Sequence, residues 1–104
     1  MNEKNLVNVI VAEIKLRYPS AWVLKTHGGG MQRSGIPDLL VCIDGKLIGL
    51  EVKYRRPGES EEHAQSRATQ LQRYELAQLE RAGAVGGVVT STAAALKIIQ
   101  EIIV

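Results

Sequence analysis

The stretch GIPDLLVCIDGKLIGLEVK, residues 35–53, decides the fold and contains an unusual set of charges. Two acids, Asp38 and Glu51, and one lysine, Lys53, lie in an otherwise apolar sequence. Charged groups are rarely buried unless they are paired or bind a metal. Their presence here therefore needs a structural or a functional reason.

The same stretch predicts a β-hairpin. Residues 38–43 and 46–53 have the composition of strands, and Asp44-Gly45 between them is typical of a two-residue type I′ turn. This turn pairs Cys42 with Leu47 and, further from the turn, Asp38 with Glu51. Lys53 follows on the same face as Glu51 because strand side chains alternate.

Two carboxylates placed opposite each other repel, and at least one pKa should rise. A hard divalent cation compensates, since Mg²⁺ is held by one or two carboxylates together with waters and substrate phosphates. Asp38, Glu51 and Lys53 therefore predict a metal-dependent site for phosphodiester hydrolysis. The alternative is a surface ion pair between Glu51 and Lys53, with Asp38 as a turn residue fixed by Pro37. The predicted cross-strand pairing of Asp38 with Glu51 and the apolar sequence around them disfavour this alternative.

The flanking sequence predicts one α/β domain with the element order αβββαβα. Apolar residues at helical spacing, strand-like runs and turn signals give the remaining elements. They are a helix over 4–18, a strand over 21–26, a helix over 69–82, a strand over 85–90 and a last helix that begins after Ser91 or Thr92. Residues 27–35 and 55–68 are predicted to be polar loops inside one domain, 1–104.

Composition restricts the class of protein. The chain has 104 residues, 45% of them hydrophobic, a net charge of +2 and a single cysteine, Cys42. These numbers suit one compact domain and exclude an internal disulfide or a cysteine-based zinc cluster. We expect no membrane association and a cytoplasmic location, because the first residues do not resemble a signal peptide and no apolar run reaches the ~20 residues of a membrane span.

The motifs resemble those of a known nuclease family. P37-D38 followed by E51-V52-K53 on a hairpin resembles the PD-(D/E)xK superfamily, whose core is restriction-endonuclease-like, with a mixed central sheet flanked by helices. More narrowly, the chain is similar to a stand-alone VRR-NUC domain. That family also has a Glu near the start of the first helix, a Gln on the helix after E-x-K, and A-G before the next strand. Here these are Glu3, Gln72 and A82-G83.

The resemblance implies a role for each matching position. Asp38, Glu51 and the Val52 carbonyl would bind Mg²⁺ or Mn²⁺, and Lys53 would position or activate the attacking water. Glu3 and Gln72 would be accessory groups at the site. Each has a structural alternative: Glu3 can favour the helix dipole, and Gln72 can close a capping box with Thr69.

A nucleic-acid partner is compatible with the basic residues around the site. Polar and basic side chains before and after the motifs can contact phosphates without reading sequence. The candidates are Lys25, His27, Gln32, Arg33, Arg55 and Arg56. The alternative is a pair of solvated loops with ordinary charges.

These features predict a Mg²⁺-dependent, structure-specific DNA endonuclease. The family resemblance implies branched DNA, such as a four-way junction, as the substrate and a homodimer as the active form. The last helix, with apolar residues on more than one face, would form the dimer interface or complete the core. The alternatives are a non-catalytic nucleic-acid-binding module and a subunit of a larger restriction or repair assembly.

Overall fold

The structure, a computed structural model, describes residues 1–26 and 33–103. It contains four helices and four strands within those residues, in the order αβββααβα. They are α1 (Glu3–Arg17), β1 (Trp22–Lys25), β2 (Leu39–Ile43), β3 (Lys46–Val52), α2 (Glu61–Ser66), α3 (Gln70–Arg81), β4 (Val85–Val89) and α4 (Thr92–Ile102).

The predicted hairpin is confirmed, with its register. Asp44 and Gly45 have positive φ angles of 51° and 77°, as a type I′ turn requires. β2 and β3 are antiparallel, with Ile43 opposite Lys46 and Leu39 opposite Leu50. Continued by one residue, this register brings Asp38 opposite Glu51, as the turn predicted.

The four strands form one mixed sheet in the order β1-β2-β3-β4, which confirms the predicted α/β fold. β1, β2 and β3 are antiparallel neighbours, whereas β4 runs parallel to β3. One sheet face packs against α1 and α4. The core between them includes Leu39, Val41, Ile48, Leu50, Leu6, Ile10, Ile14, Leu96 and Ile99.

The opposite face of β3 and β4 packs against α3, and glycines allow the close approach. A Cβ added at Gly49 would lie 2.7 Å from the Leu79 Cδ1 atom, and one at Gly86 would lie 2.9 Å from the Leu76 Cδ2 atom. Because side chains alternate along β3, Glu51 lies on the same face as Gly49. Glu51 therefore lies on the sheet face that α3 covers at Gly49.

α1 begins at Glu3 because Asn2 caps it. The Asn2 side chain accepts a hydrogen bond from the Asn5 backbone N–H at 2.9 Å. Leu6, Ile10 and Ile14 are buried, as their helical spacing predicted. This cap and this apolar stripe together fix the end of the helix where Glu3 lies.

The prediction of one polar loop over residues 55–68 was wrong, and so was the element order αβββαβα. A six-residue helix, α2, begins after Ser60, whose side chain accepts a hydrogen bond from the His63 backbone N–H. Only Ala64 of this helix is buried. Such a short helix has no apolar period, so it depends on its cap and first-turn acids rather than on a core-facing stripe.

α4 completes the core, which was one of the two roles predicted for it. Ala95, Leu96 and Ile99 are buried, and Ile98 and Ile102 pack against the same cluster. Across residues 1–26 and 33–103, none of the helices is long and apolar enough to cross a membrane.

Candidate active site

Hydrogen bonds from Thr26, after β1, and from Val52, in β3, hold Pro37 and Asp38 in place. The Pro37 carbonyl accepts a hydrogen bond from the Thr26 hydroxyl at 2.6 Å, and the Asp38 carbonyl accepts one from the Thr26 N–H at 2.9 Å. The Asp38 side chain accepts a third hydrogen bond, from the Val52 N–H at 2.8 Å. These bonds fix the carboxylate at the open end of the hairpin.

Glu51 is a buried carboxylate with an unsatisfied oxygen. The residue is 1% exposed, and its Oε1 atom has no hydrogen-bond partner in the described part of the chain. Burial, followed by the Asp38 carboxylate beside it, raises the pKa of Glu51 from 4.5 to about 8, while Lys53 acts in the opposite direction. The position therefore disfavours a bare carboxylate and favours a cation or a proton.

Lys53 lies between two acids. Its Nζ atom is 3.6 Å from Glu51 Oε2 and 3.9 Å from Glu3 Oε1, and its side chain is 12% exposed. The structure thus brings Glu3, Glu51 and Lys53 together, although Glu3 is the first residue of α1 and the other two come from the end of β3. The family resemblance implied that Glu3 lies at the site, but nothing in the sequence indicated its ion pair with Lys53.

The residues around the buried Glu51 oxygen suit a divalent cation. The Asp38 and Glu51 carboxylates adjoin each other, and the Val52 N–H points at Asp38. Because the N–H and C=O of a strand residue face the same neighbour, the Val52 carbonyl lies on this side too. Within residues 1–26 and 33–103, no three His, Cys, Asp or Glu side chains cluster as a metal site. The Asp38 and Glu51 carboxylates and the Val52 carbonyl are oxygen groups of the kind that Mg²⁺ and Mn²⁺ bind.

Gln72 is engaged in the structural role that its sequence context allowed. The Gln72 side-chain oxygen accepts a hydrogen bond from the Thr69 N–H at 2.8 Å. The Gln72 N–H donates to the Thr69 hydroxyl at 3.1 Å. This is a complete capping box at the start of α3. A catalytic role for Gln72 stays a prediction.

A cleft of about 420 Å³ is lined by Asp38 of the carboxylate pair. Its walls come from α1 and from the ends of β1 and β2, and they include Glu3, Lys4, Val7, Asn8, Lys25, Thr26 and Asp38. The Lys25 Nζ atom donates a hydrogen bond to the Asn8 side chain at 3.1 Å, which holds the ammonium at the cleft. Asn8 and Thr26 were not predicted from the sequence, because no local sequence pattern indicates a cleft that forms between separate elements.

The other predicted phosphate-binding residues have different surroundings. Arg33 forms a two-point ion pair with Glu75 of α3, with contacts of 2.9 and 3.1 Å. Arg55 and Arg56 are exposed after the end of β3. His27 and Gln32 lie outside the described residues. Lys25 is thus the predicted basic residue that the structure places on the cleft with Asp38.

Solved structures resemble this chain over nearly its whole length. No protein-family model matches the sequence, and no curated protein matches it either. A structure named as a VRR_NUC domain protein superposes with a TM-score of 0.72 at 18% identity, covering 99% of this chain and 88% of the other. The chain has the fold of a VRR-NUC domain. A second structure, named as a VRR_NUC domain, has a TM-score of 0.59 at 28% identity and covers 91% of this chain and 95% of the other.

These neighbours confirm the family resemblance that the motifs predicted, and they support a VRR-NUC domain family, which is a family of nuclease domains. The VRR-NUC fold accounts for the mixed sheet and for the helices on both of its faces. The roles of individual residues, the metal and the substrate stay predictions.

Proposed function

We propose that this chain is a Mg²⁺- or Mn²⁺-dependent DNA endonuclease that hydrolyses phosphodiester bonds. The observation that carries the proposal is the buried Glu51 carboxylate, which has one oxygen without a hydrogen bond in the described part of the chain and Asp38 as its neighbour. Such an arrangement opposes folding, because buried carboxylates that are side by side repel and are poorly solvated. A cation-binding site explains why the chain contains two adjacent carboxylates, one of them buried.

The proposed roles follow from the contacts of each residue. Asp38, Glu51 and the Val52 carbonyl would hold the cation, whose chemistry is to polarise a phosphoryl oxygen and to lower the pKa of water. Lys53 is a hydrogen-bond donor with three N–H groups, held between Glu51 and Glu3. It would orient the attacking water and stabilise the negative charge that develops on the phosphoryl oxygens.

The cleft supports a polyanionic substrate on one side of these groups. Lys25 and Lys4 line the cleft together with Asp38 and Glu3. An ammonium group there would bind a phosphate next to the scissile one, without reading the bases. We propose branched DNA as the preferred substrate and a homodimer as the active form, as the family resemblance implies. Light scattering of the purified chain tests the dimer.

Cleavage of a panel of labelled DNAs tests the function. The panel contains single-stranded, duplex, flap, splayed-arm and four-way-junction DNA, each incubated with Mg²⁺, Mn²⁺ or EDTA. We expect cutting with either metal by the wild type, no cutting in EDTA, and loss of cutting in Lys53→Ala. If the folded wild-type chain cut none of these DNAs with either metal, it would not be an autonomous nuclease.

A further inference from the structure

A second charged cluster, outside the carboxylate pair, is centred on Glu59. The Glu59 side chain is 6% exposed and binds the Arg67 guanidinium at two points. The Arg67 Nε atom lies 2.9 Å from Glu59 Oε2, and the Arg67 Nη2 atom lies 3.0 Å from Glu59 Oε1. Glu59 also accepts a hydrogen bond from the Arg56 N–H at 2.9 Å. A two-point pair of this kind fixes the plane of the guanidinium.

The fixed guanidinium connects this cluster to the candidate active site. Arg67 Nη2 also donates a hydrogen bond to the carbonyl of Tyr54, the residue after Lys53. Arg67 Nη1 lies 4.0 Å from Glu3 Oε2. The other oxygen of that carboxylate, Oε1, lies 3.9 Å from the Lys53 Nζ atom. The Glu3 carboxylate therefore lies between two cations.

We propose that Arg67 is a positioning residue for Lys53 and acts through Glu3. This inference rests on the proposed nuclease function, in which Lys53 is the group that acts on the water. Glu3 is 43% exposed, so its side chain has freedom to leave the ammonium. Attraction to the fixed Arg67 guanidinium orients one oxygen of the Glu3 carboxylate toward Arg67 and leaves the other oxygen facing Lys53. Glu59 is needed because it holds Arg67 in that orientation.

A direct contact between Arg67 and DNA is the competing role. Arg67 is 19% exposed; its guanidinium donates hydrogen bonds to Glu59 and the Tyr54 carbonyl, and its Nη1 atom lies 4.0 Å from Glu3. The hydrogen bonds of Nε and Nη2 leave Nη1 as the nitrogen with which Arg67 could contact a phosphate. The two roles differ in kinetics, because loss of a phosphate contact raises KM whereas misplacement of Lys53 lowers kcat.

Steady-state cleavage by Arg67→Met separates these roles. We expect kcat to fall about tenfold, as is typical when a partner of a site residue is lost, with KM changed by less than about twofold. Arg17→Met is the matched control, because it removes an exposed arginine that pairs with Glu13 within α1. Since Arg67→Met alone leaves Glu59 unpaired, Glu59→Gln/Arg67→Met removes both partners and is expected to show the same fall in kcat. A raised KM at unchanged kcat would overturn the proposal.

A double-substitution cycle tests whether the effect passes through Glu3. In a Glu3→Gln background, Arg67→Met should change kcat by less than about twofold, because the group through which it acts is already neutral. A full tenfold fall in that background would mean that Arg67 acts by another route, and it would overturn the proposal.

Labelling of Lys53 distinguishes failure of this inference from failure of the proposed function. Wild type and variants are treated with limiting acetic anhydride, and acetylation of Lys53 is measured by mass spectrometry against exposed Lys97. We expect Lys53 to react about twofold to fivefold faster in Arg67→Met, the range for loss of one weak ion pair. In Glu3→Gln, adding Arg67→Met should have no further effect. If the wild type cut no DNA, the nuclease function would fail but this readout would still decide the inference. An unchanged Lys53 rate would overturn it.

Discussion

One carboxylate oxygen of Asp38 accepts a hydrogen bond from the backbone N–H of Val52 at 2.8 Å. This bond joins the P-D and E-x-K motifs across the hairpin and keeps Asp38 beside the buried Glu51. Like charges that face each other destabilise a sheet, and a buried oxygen without a partner adds to the cost. Residues at functional sites commonly lower the stability of the fold in this way.

Removing the charge of Glu51 should therefore stabilise the metal-free chain. In EDTA, we expect Glu51→Gln to increase the free energy of unfolding by about 1 kcal/mol and to raise Tm by about 4 °C, because an amide is easier to bury and can donate to Asp38. Thermal unfolding measures this, with exposed Glu62→Gln as the control. A lower Tm for Glu51→Gln would mean that Glu51 is chiefly a structural partner of Lys53.

Two basic residues that were both predicted to contact phosphates should behave differently. Lys25 lies on the cleft, so Lys25→Gln should weaken DNA binding and reduce the slope of log K against log salt by about 1. Arg33 is paired with the buried Glu75, so Arg33→Gln should instead cost about 1 kcal/mol of stability and leave the slope unchanged. Binding to a labelled junction in EDTA at several salt concentrations measures both slopes, and urea unfolding measures the stability of Arg33→Gln. A reduced slope for Arg33→Gln alone would reverse the assignment.

Glu59 should give the fold a pH dependence. The Arg67 guanidinium, followed by the Arg56 N–H, lowers the pKa of Glu59 from 4.5 to about 2. A group whose pKa is lowered by folding stabilises the native state above its ordinary pKa, and this contribution is lost as pH falls through the folded value. The stability that Glu59 adds is therefore complete above pH 4.5 and disappears between about pH 4.5 and pH 2.

Urea unfolding of the wild type and Glu59→Gln across that pH range measures the effect. The difference between their midpoints should be largest near neutral pH and should shrink toward pH 2. Glu13→Gln, which removes the exposed pair with Arg17, serves as the control and should shift the midpoint little. A difference of constant size at every pH would show that the carboxylate charge of Glu59 is not what stabilises this region.

The hairpin and the carboxylate pair could be predicted from sequence because the signals are local. Asp44-Gly45 fixes the turn, the turn fixes the register, and the register determines which residue faces Glu51. The helical stripe Leu6, Ile10 and Ile14 likewise predicted the buried face of α1. In these cases a few neighbouring residues contain all the information that is needed.

The charged partners could not be predicted because they depend on tertiary structure. Arg33 and Glu75 are far apart in the sequence, and nothing near either one indicates the other. The polar segment after Lys53 lacks an apolar period, so α2 and the pair of Glu59 with Arg67 were missed. A cap residue followed by two acids, Ser60-Glu61-Glu62, was the available signal for α2.

Calorimetric titration with Mn²⁺ tests the central claim, that Asp38 and Glu51 together hold a divalent cation. The wild type, Asp38→Asn, Glu51→Gln and the control Glu13→Gln are compared at one pH and salt concentration. We expect one Mn²⁺ per chain in the wild type and in the control, with affinity reduced by about tenfold or more in each of the other two variants. Equal Mn²⁺ affinity in all four proteins would contradict the claim.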